Sequence, residues 1–310
     1  MRAISANSVI QIDVSHGACH LKCANCTRAI GHHRSPSFMS LDMIRTAIDS
    51  LEGFEGEIGC MGGEPALHPR FPEVLAIWRE MIPNRRKRSL WTSGWKWPEY
   101  RDDILDTFDR DLIHYNDHTQ TTGRHQPLLV AIEEIVDDPE LREILIANCP
   151  FQSHWSAAIT PLGCYFCEIA AGMGAIFGVP GWPIEPGWWR KTPDQFQDQV
   201  KEFCGKCSGA VPLPKFSDGK GGRDGPTYDY VSPGNLKRLL DAGSPKAQRG
   251  HVIVWDKKIT KAEIEEAKAN WKPRSFRPFE AHVPEDYATV GVDPGLERAK
   301  SPSDRAVGAS

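Results

Sequence analysis

The sequence predicts an α/β protein built on a parallel sheet, either a barrel or an open sheet. Two observations carry this expectation. Through residues 9–146, short apolar segments with strand character alternate with segments of helical periodicity. Repeated βα units of this size place parallel strands side by side with helices between them. A shift of composition toward Gly, Pro and Trp after Cys149 marks the end of that repeat.

Val9-Ile10-Gln11-Ile12-Asp13-Val14 alternates with a period of two and reads as the first strand. Ser40 caps a helix whose apolar positions Ile44, Ala47, Ile48 and Leu51 follow the 3.6-residue rhythm. Glu57-Ile58-Gly59-Cys60 is the second strand. Pro72 suits the first turn of a helix with Phe71, Val74, Leu75, Trp78 and Ile82 on one face. Ser89 to Thr92 forms the third strand, Asp103 to Phe108 a helix, and Leu112 to Tyr115 the fourth strand. Leu128 to Val136 reads as a helix and Ile144-Leu145-Ile146 as the fifth strand. Beyond Cys149 a hairpin pivots on Pro161-Leu162-Gly163. Thr192-Pro193-Asp194-Gln195 has the form of a capping box and opens a helix that carries Phe196, Val200 and Phe203 into Cys204. Residues 217–226 read as a flexible loop without the Gly-Lys-Ser/Thr ending of a phosphate-binding loop. A last α/β piece pairs the strand Val252 to Trp255 with a helix from Lys261 to Ala269, and residues 290–310 read as a frayed tail.

Composition excludes several classes of protein. With 310 residues the chain is long enough for two domains or for a barrel with additions. It is 40% hydrophobic and 25% charged, with net charge −4, ordinary for a globular protein and poorly suited to coating DNA nonspecifically. No apolar run approaches the roughly 18 residues of a membrane helix. The first 15 residues lack the core and cleavage site of a secretory signal, so the expectation is a cytoplasmic protein with no membrane partner.

Nine cysteines carry the functional information. In an intracellular chain, clustered cysteines point to metal or redox chemistry rather than to disulfides. Cys60 stands apart at the end of an apolar segment and reads as a buried hydrophobe. Cys19, Cys23 and Cys26 follow the first strand with the spacing C-x3-C-x2-C. Three thiolates can hold three irons of a four-iron cluster and leave the fourth iron open. Zinc, with His32 or His33 as fourth ligand, is the alternative that this spacing leaves open.

The second strand ends in Met61-Gly62-Gly63-Glu64-Pro65. With the C-x3-C-x2-C loop before it, this segment resembles the radical SAM superfamily, over roughly residues 7–150. The resemblance implies a partial (β/α)6 barrel of the TIM type, a [4Fe-4S] cluster on Cys19, Cys23 and Cys26, and S-adenosylmethionine at the open iron. It also implies that Gly62, Gly63, Glu64 and Pro65 meet the methionine end of that cofactor. Trp91-Thr92-Ser93-Gly94 looks like the family's Thr-Asn-Gly segment, with Ser93 in place of Asn. Asn116, after the fourth strand, lies where the family often contacts the ribose. One position departs from the pattern: Asn25 stands where the family has an aromatic residue before the third cysteine. The implied chemistry is reductive cleavage of S-adenosylmethionine, then hydrogen abstraction from substrate by a 5′-deoxyadenosyl radical. An external one-electron donor such as flavodoxin or ferredoxin would supply the electron.

Cys149, Cys164, Cys167, Cys204 and Cys207 resemble the auxiliary-cluster module called Twitch, a shortened relative of SPASM. Cys149, Cys167, Cys204 and Cys207 are the expected ligands of a second [4Fe-4S] cluster, with Cys164 as the alternative to Cys167. A four-cysteine zinc site is the other possibility. Domain limits follow: a radical SAM core over 1–148, the auxiliary module over 149–215 and a C-terminal extension over 216–310. Trp182, Trp188 and Trp189 are expected to pack around the second metal site, and Arg85 to Arg88 to form a solvated turn. His32 and His33 are expected on a solvated loop and Glu168 at a surface position. The substrate is expected to be a small molecule or a nucleotide. Cys23-Ala-Asn-Cys-Thr-Arg and Cys164-Tyr-Phe-Cys-Glu look similar to enzymes that isomerise amino-acid-modified thymidines in phage DNA hypermodification, which would place the chain in a host cytoplasm. A sugar or aminocyclitol dehydrogenase using the auxiliary cluster as electron acceptor is the alternative, followed by a peptide-modifying enzyme. A zinc-braced nucleic-acid module would leave Gly62 to Pro65 without a purpose.

Overall fold

A computed structural model describes residues 1–115, 125–154, 156–214, 226–270 and 277–278. Asn116, nearly all of the 217–226 loop and residues 290–310 lie outside the described residues.

The first strand is β1 (Val9–His16), paired antiparallel with the short β2 (Ser37–Phe38). Next come α1 (Leu41–Asp49), β3 (Glu57–Gly62), α2 (Phe71–Met81), β4 (Arg88–Thr92), α3 (Trp97–Thr107) and β5 (Ile113–Tyr115). Ser40 caps α1 by accepting the Met43 N–H at 3.2 Å. The helix α3 starts at Trp97, earlier than its periodicity suggests, with Pro98 in its first turn. The central sheet runs β5-β4-β3-β1 in parallel pairs. The protein is thus an α/β fold on a parallel sheet.

The expected strand Ile144–Ile146 is helical. It belongs to α5 (Pro139–Ala147), which follows the single turn α4 (Ile132–Ile135). Asp138 caps α5 through the Glu140 and Leu141 N–H groups, and Leu141 and Leu145 bury one face while Ile144 is 51% exposed. Three consecutive apolar residues fit either period, and the cap with Pro139 decides for helix. The expected helix from Leu128 is likewise confined to α4. Leu129 instead bridges to Val231, and Ala131 N donates to Ser232 Oγ at 3.1 Å.

The sheet continues through α6 (Pro150–His154) into β6 (Ala157–Thr160), which joins β1 in parallel. Its partner β7 (Gly163–Tyr165) returns antiparallel across the turn at Pro161-Leu162. Gly163 has φ +118°, and a Cβ there would sit 2.4 Å from the Trp182 carbonyl oxygen, so the hairpin requires glycine. α7 (Glu168–Phe177) and α8 (Gln197–Phe203) follow, the second after the Thr192–Gln195 capping box and a short 3₁₀ turn. The last elements are β8 (Asp229–Val231), α9 (Pro233–Asp241), α10 (Pro245–Gln248), β9 (Val252–Val254), α11 (Lys261–Asn270) and β10 (Arg277–Pro278). β8 and β9 form a small parallel pair, and β10 lies antiparallel on β5. Among the described residues, no helix is long and apolar enough to cross a membrane.

Alternation along β1 sorts its side chains. Ile10, Ile12 and Val14 join the core with Ile44, Phe71 and Trp78. Gln11, Asp13 and Ser15, on the other face, are also buried. Cys60 is fully buried in the main core, as a small hydrophobe. Trp188 and Trp189 join that core as well, Trp189 edge-on to Phe54 at 5.5 Å.

The C-terminal elements are tied to the N-terminal loop by buried charge. Asp229 on β8 meets Lys246 Nζ at 2.8 Å and His32 Nε2 at 2.8 Å. His32 Nδ1 in turn lies 2.7 Å from Ser244 Oγ, and His33 Nε2 lies 2.9 Å from the Arg28 carbonyl oxygen. Both histidines are therefore buried, not on a solvated loop: the C-terminal elements hold His32, while His33 packs on His16 and the Arg28 carbonyl. Burial alone would raise the Asp229 pKa, but Lys246 and His32 outweigh it and hold the carboxyl well below the usual range. Its stabilising effect is thus present above an unfolded pKa of about 4 and is lost as pH falls through the lower folded value. Replacing Asp229 with Ala leaves Lys246 buried and uncompensated, an expected loss of about 3–5 kcal/mol. Urea denaturation at pH 7 measures it; a loss under about 1 kcal/mol would show that the pair is not a structural lock.

Candidate functional site

The C-x3-C-x2-C loop leaves the C-terminal end of β1, and the Gly62–Pro65 segment leaves the C-terminal end of β3 beside it. Backbone hydrogen bonds join the two: Gly63 N donates to Ser15 O and Glu64 N to Ala18 O, each at 2.9 Å. A Cβ on Gly63 would sit 2.1 Å from the Ala18 carbonyl oxygen and 2.9 Å from Cys19 Cβ. Only glycine permits that approach.

Glu64 is fully buried, and its carboxylate is enclosed by donors. Oε1 accepts from Thr92 Oγ1 at 2.7 Å and Ala66 N at 3.2 Å; Oε2 accepts from Ser93 N at 2.7 Å and Ser93 Oγ at 2.6 Å. The glutamate thus ties the end of β3 to the end of β4. Thr92, Ser93 and Glu64, remote in sequence, meet as one polar knot at the same sheet edge as the cysteine loop.

Burial, followed by the Glu64 carboxylate and the neighbouring Cys23 and Cys26 thiols, pushes the Cys19 thiol well above its ordinary pKa. Anionic sulfurs crowded in this way repel one another, and a cationic metal centre reverses that penalty by deprotonating its ligands. The donor set therefore fits iron–sulfur ligation. His32 is not free to complete a zinc site, because both of its ring nitrogens are engaged; His33 Nε2 lies against the Arg28 carbonyl oxygen.

The second set of thiols lies where the polypeptide folds back on the sheet. Cys149, Cys167, Cys204 and Cys207 line one apolar cavity with Phe166 and Met173. Burial and the mutual proximity of Cys149, Cys207 and Cys167 raise Cys204 well above its usual value. Burial and Cys149 likewise push Cys207 up to about 12. Cys164 is elsewhere. It sits in the middle of β7, where its backbone exchanges hydrogen bonds with Trp182 at 2.8 and 3.0 Å. Cys167, three residues on, is the N-cap of α7 and still has extended backbone, so it points away from the Cys164 side and into the cavity. Trp182, Trp188 and Trp189 do not line that cavity, contrary to expectation. Among the described residues, no three His, Cys, Asp or Glu side chains converge on one point as a single metal ion requires. A four-iron cluster needs one thiolate per iron instead.

A buried ion pair stands between the two thiol sets. Arg28, after Cys26, approaches Glu168, next to Cys167, at 3.6 Å and Asp13 at 3.9 Å. Arg28 Nη2 also donates to Gln11 Oε1 and lies 3.0 Å from Met61 Sδ. Glu168 is 2% exposed, not at the surface, because α7 packs on the cysteine loop: a Cβ on Gly172 would lie 3.0 Å from Thr27 O. Burial raises the Glu168 pKa despite Arg28; at Asp13, Arg28 and His16 together outweigh burial and lower it. Sequence reasoning missed this network. Its one local signal was Gln11 and Asp13, polar residues in a strand otherwise made of β-branched apolar ones. Arg85 and Arg86 pair with Asp109 and Asp111 at the surface, whereas Arg88 is buried, its guanidinium on the Ile82 carbonyl at 2.6 Å.

No family model matches the chain, and no curated protein matches it. Among solved structures it is similar to BtrN in complex with AdoMet and 2-DOIA, at TM-score 0.39 and 16% identity over 64% of this chain and 88% of that one. An open conformation of BtrN aligns at TM-score 0.37 and 17% identity, over 70% and 94%. anSMEcpe with bound AdoMet aligns at TM-score 0.22 and 12% identity, over 79% and 50%.

Proposed function

We propose that the chain is a radical S-adenosylmethionine enzyme. Cys19, Cys23 and Cys26 hold a [4Fe-4S] cluster with one open iron, and Cys149, Cys167, Cys204 and Cys207 hold a second cluster. The observation that carries the reading is the direct joining of the cysteine loop to Gly63 and Glu64 by backbone hydrogen bonds. When bound, the reduced first cluster supplies the electron that splits S-adenosylmethionine into methionine and the deoxyadenosyl group that takes a substrate hydrogen.

The chain's own residues supply position and shelter. Gly63 and Glu64 give their N–H groups to the Ser15 and Ala18 carbonyls, and we assign the carbonyls of Gly62 and Gly63 as the acceptors that an ammonium group needs. Glu64 acts through Thr92 and Ser93 and is a positioning residue, its carboxylate already fully used. Ser93, just after β4, is the residue we assign to the nucleoside; Asn116, the other expected contact, lies outside the described residues. Val9, Met61 and Trp91 form an apolar patch on the same sheet, beside the Arg28 network.

The substrate we favour is an amino-acid-modified thymidine, isomerised during phage DNA hypermodification; the Cys23–Arg28 and Cys164–Glu168 segments support it. Oxidation of a sugar or aminocyclitol is the second reading, favoured by the Arg28–Glu168 contact between the thiol sets. The test is iron and sulfide per chain after anaerobic purification, with 5′-deoxyadenosine assayed on the same sample. About eight irons per chain with 5′-deoxyadenosine formed upon reduction is the expected result. Colourless protein without cleavage would discard the reading. Zinc at the second site would remove the oxidative alternative.

A further inference from the structure

Asn25, between the second and third cysteines of the loop, is held in an unusual way. Its backbone is left-handed at φ +53°, a region that Asn tolerates better than most residues. Its side chain is bound to the C-terminal elements: Oδ1 accepts the Tyr230 N–H at 2.9 Å, while the Asn25 N–H donates to the Asp229 carboxylate. Asp229 is itself fixed by Lys246 and His32, and Thr227 Oγ1 donates to the Lys22 carbonyl. The amide orientation is therefore determined. Turning it over would set the NH₂ group against the Tyr230 N–H, donor against donor. What remains is Nδ2, buried in a residue only 5% exposed, with no hydrogen-bond acceptor.

A buried donor without an acceptor costs about 1–3 kcal/mol, so proteins seldom retain one without use. This one sits on the loop between Cys23 and Cys26, with its amide locked before any ligand arrives. We infer that Asn25 Nδ2 donates a hydrogen bond to an acceptor carried by the ligands of this loop, either a cluster sulfur or a ring nitrogen of adenine. The inference rests on the proposed function. Asp229 and Tyr230 are the positioning residues; Asn25 is the contact.

Two variants separate the contact from the fold. Asn25→Asp keeps an oxygen for Tyr230 and the left-handed backbone but loses the donor. Asn25→Gly removes the side chain without adding charge and suits the backbone. Iron and sulfide per chain, the midpoint potential of the first cluster without S-adenosylmethionine, and the dissociation constant of S-adenosylmethionine are measured on both and on the wild type. If the acceptor is sulfur, the Asn25→Gly potential falls while affinity holds, because hydrogen bonds to cluster sulfurs favour the reduced state. If it is adenine, both variants bind S-adenosylmethionine about tenfold more weakly and the Asn25→Gly potential holds. Iron retained with neither quantity changed would overturn the inference and leave a water as partner of the amide. Wild-type protein without iron would overturn the proposed function itself, and this inference with it.

Discussion

Alanine at Cys19, Cys23 and Cys26 together is expected to abolish S-adenosylmethionine cleavage and to remove about four of about eight irons per chain. The three thiols leave the end of β1 on a loop that is pinned to Gly63 and Glu64 by hydrogen bonds and to β8 by Asn25. That loop is therefore placed by the backbone, not by the sulfurs. Removing the sulfurs breaks none of those hydrogen bonds, so the metal-free fold is expected to survive with an unchanged circular dichroism spectrum. The measurement is 5′-deoxyadenosine formed under dithionite, alongside iron and sulfide. Cleavage that persists in the triple variant would disprove the assignment of the open-iron cluster to this loop.

Cys167 and Cys164 are expected to part company when each is replaced by alanine. Cys167 faces Cys149, Cys204 and Cys207 across the cavity, so its loss should take about four irons from the second site and leave cleavage at the first. Cys164 is fully buried in the core beside Trp182, so its loss should leave the iron intact. It should lower stability by about 1–2 kcal/mol through the small void left behind. Iron analysis and urea denaturation on both variants read the two effects. Iron lost from Cys164→Ala and kept in Cys167→Ala would exchange their roles. If product formation stops in Cys167→Ala while cleavage continues, the second site takes part in the reaction, and oxidation gains over isomerisation.

Much of the site was legible in the order of residues. The three loop cysteines and the Gly62–Pro65 segment follow successive strands, and parallel strands deliver their C-terminal ends to one edge. Ser40, the Thr192–Gln195 box and the Pro161-Leu162-Gly163 turn acted through neighbours a few residues away, so their effect was readable locally. Ile144–Ile146 misled because a short apolar run has no period of its own. Glu168 misled because nothing near it in the chain says that α7 will press it against Arg28.

The order of residues alone says which thiols share a loop, that Ser40 starts α1, and that Gly62 and Gly63 allow close approach, since each depends on covalent neighbours and local backbone preference. Long-range packing sets the rest: Cys167 and not Cys164 enters the second cavity, Arg28 stands between the two thiol sets, and Asn25 is locked by a residue 204 positions away. Those outcomes depend on the direction of a single side chain at a strand end and on which charges are buried together. Both are set by packing between segments that have no spacing rule to connect them.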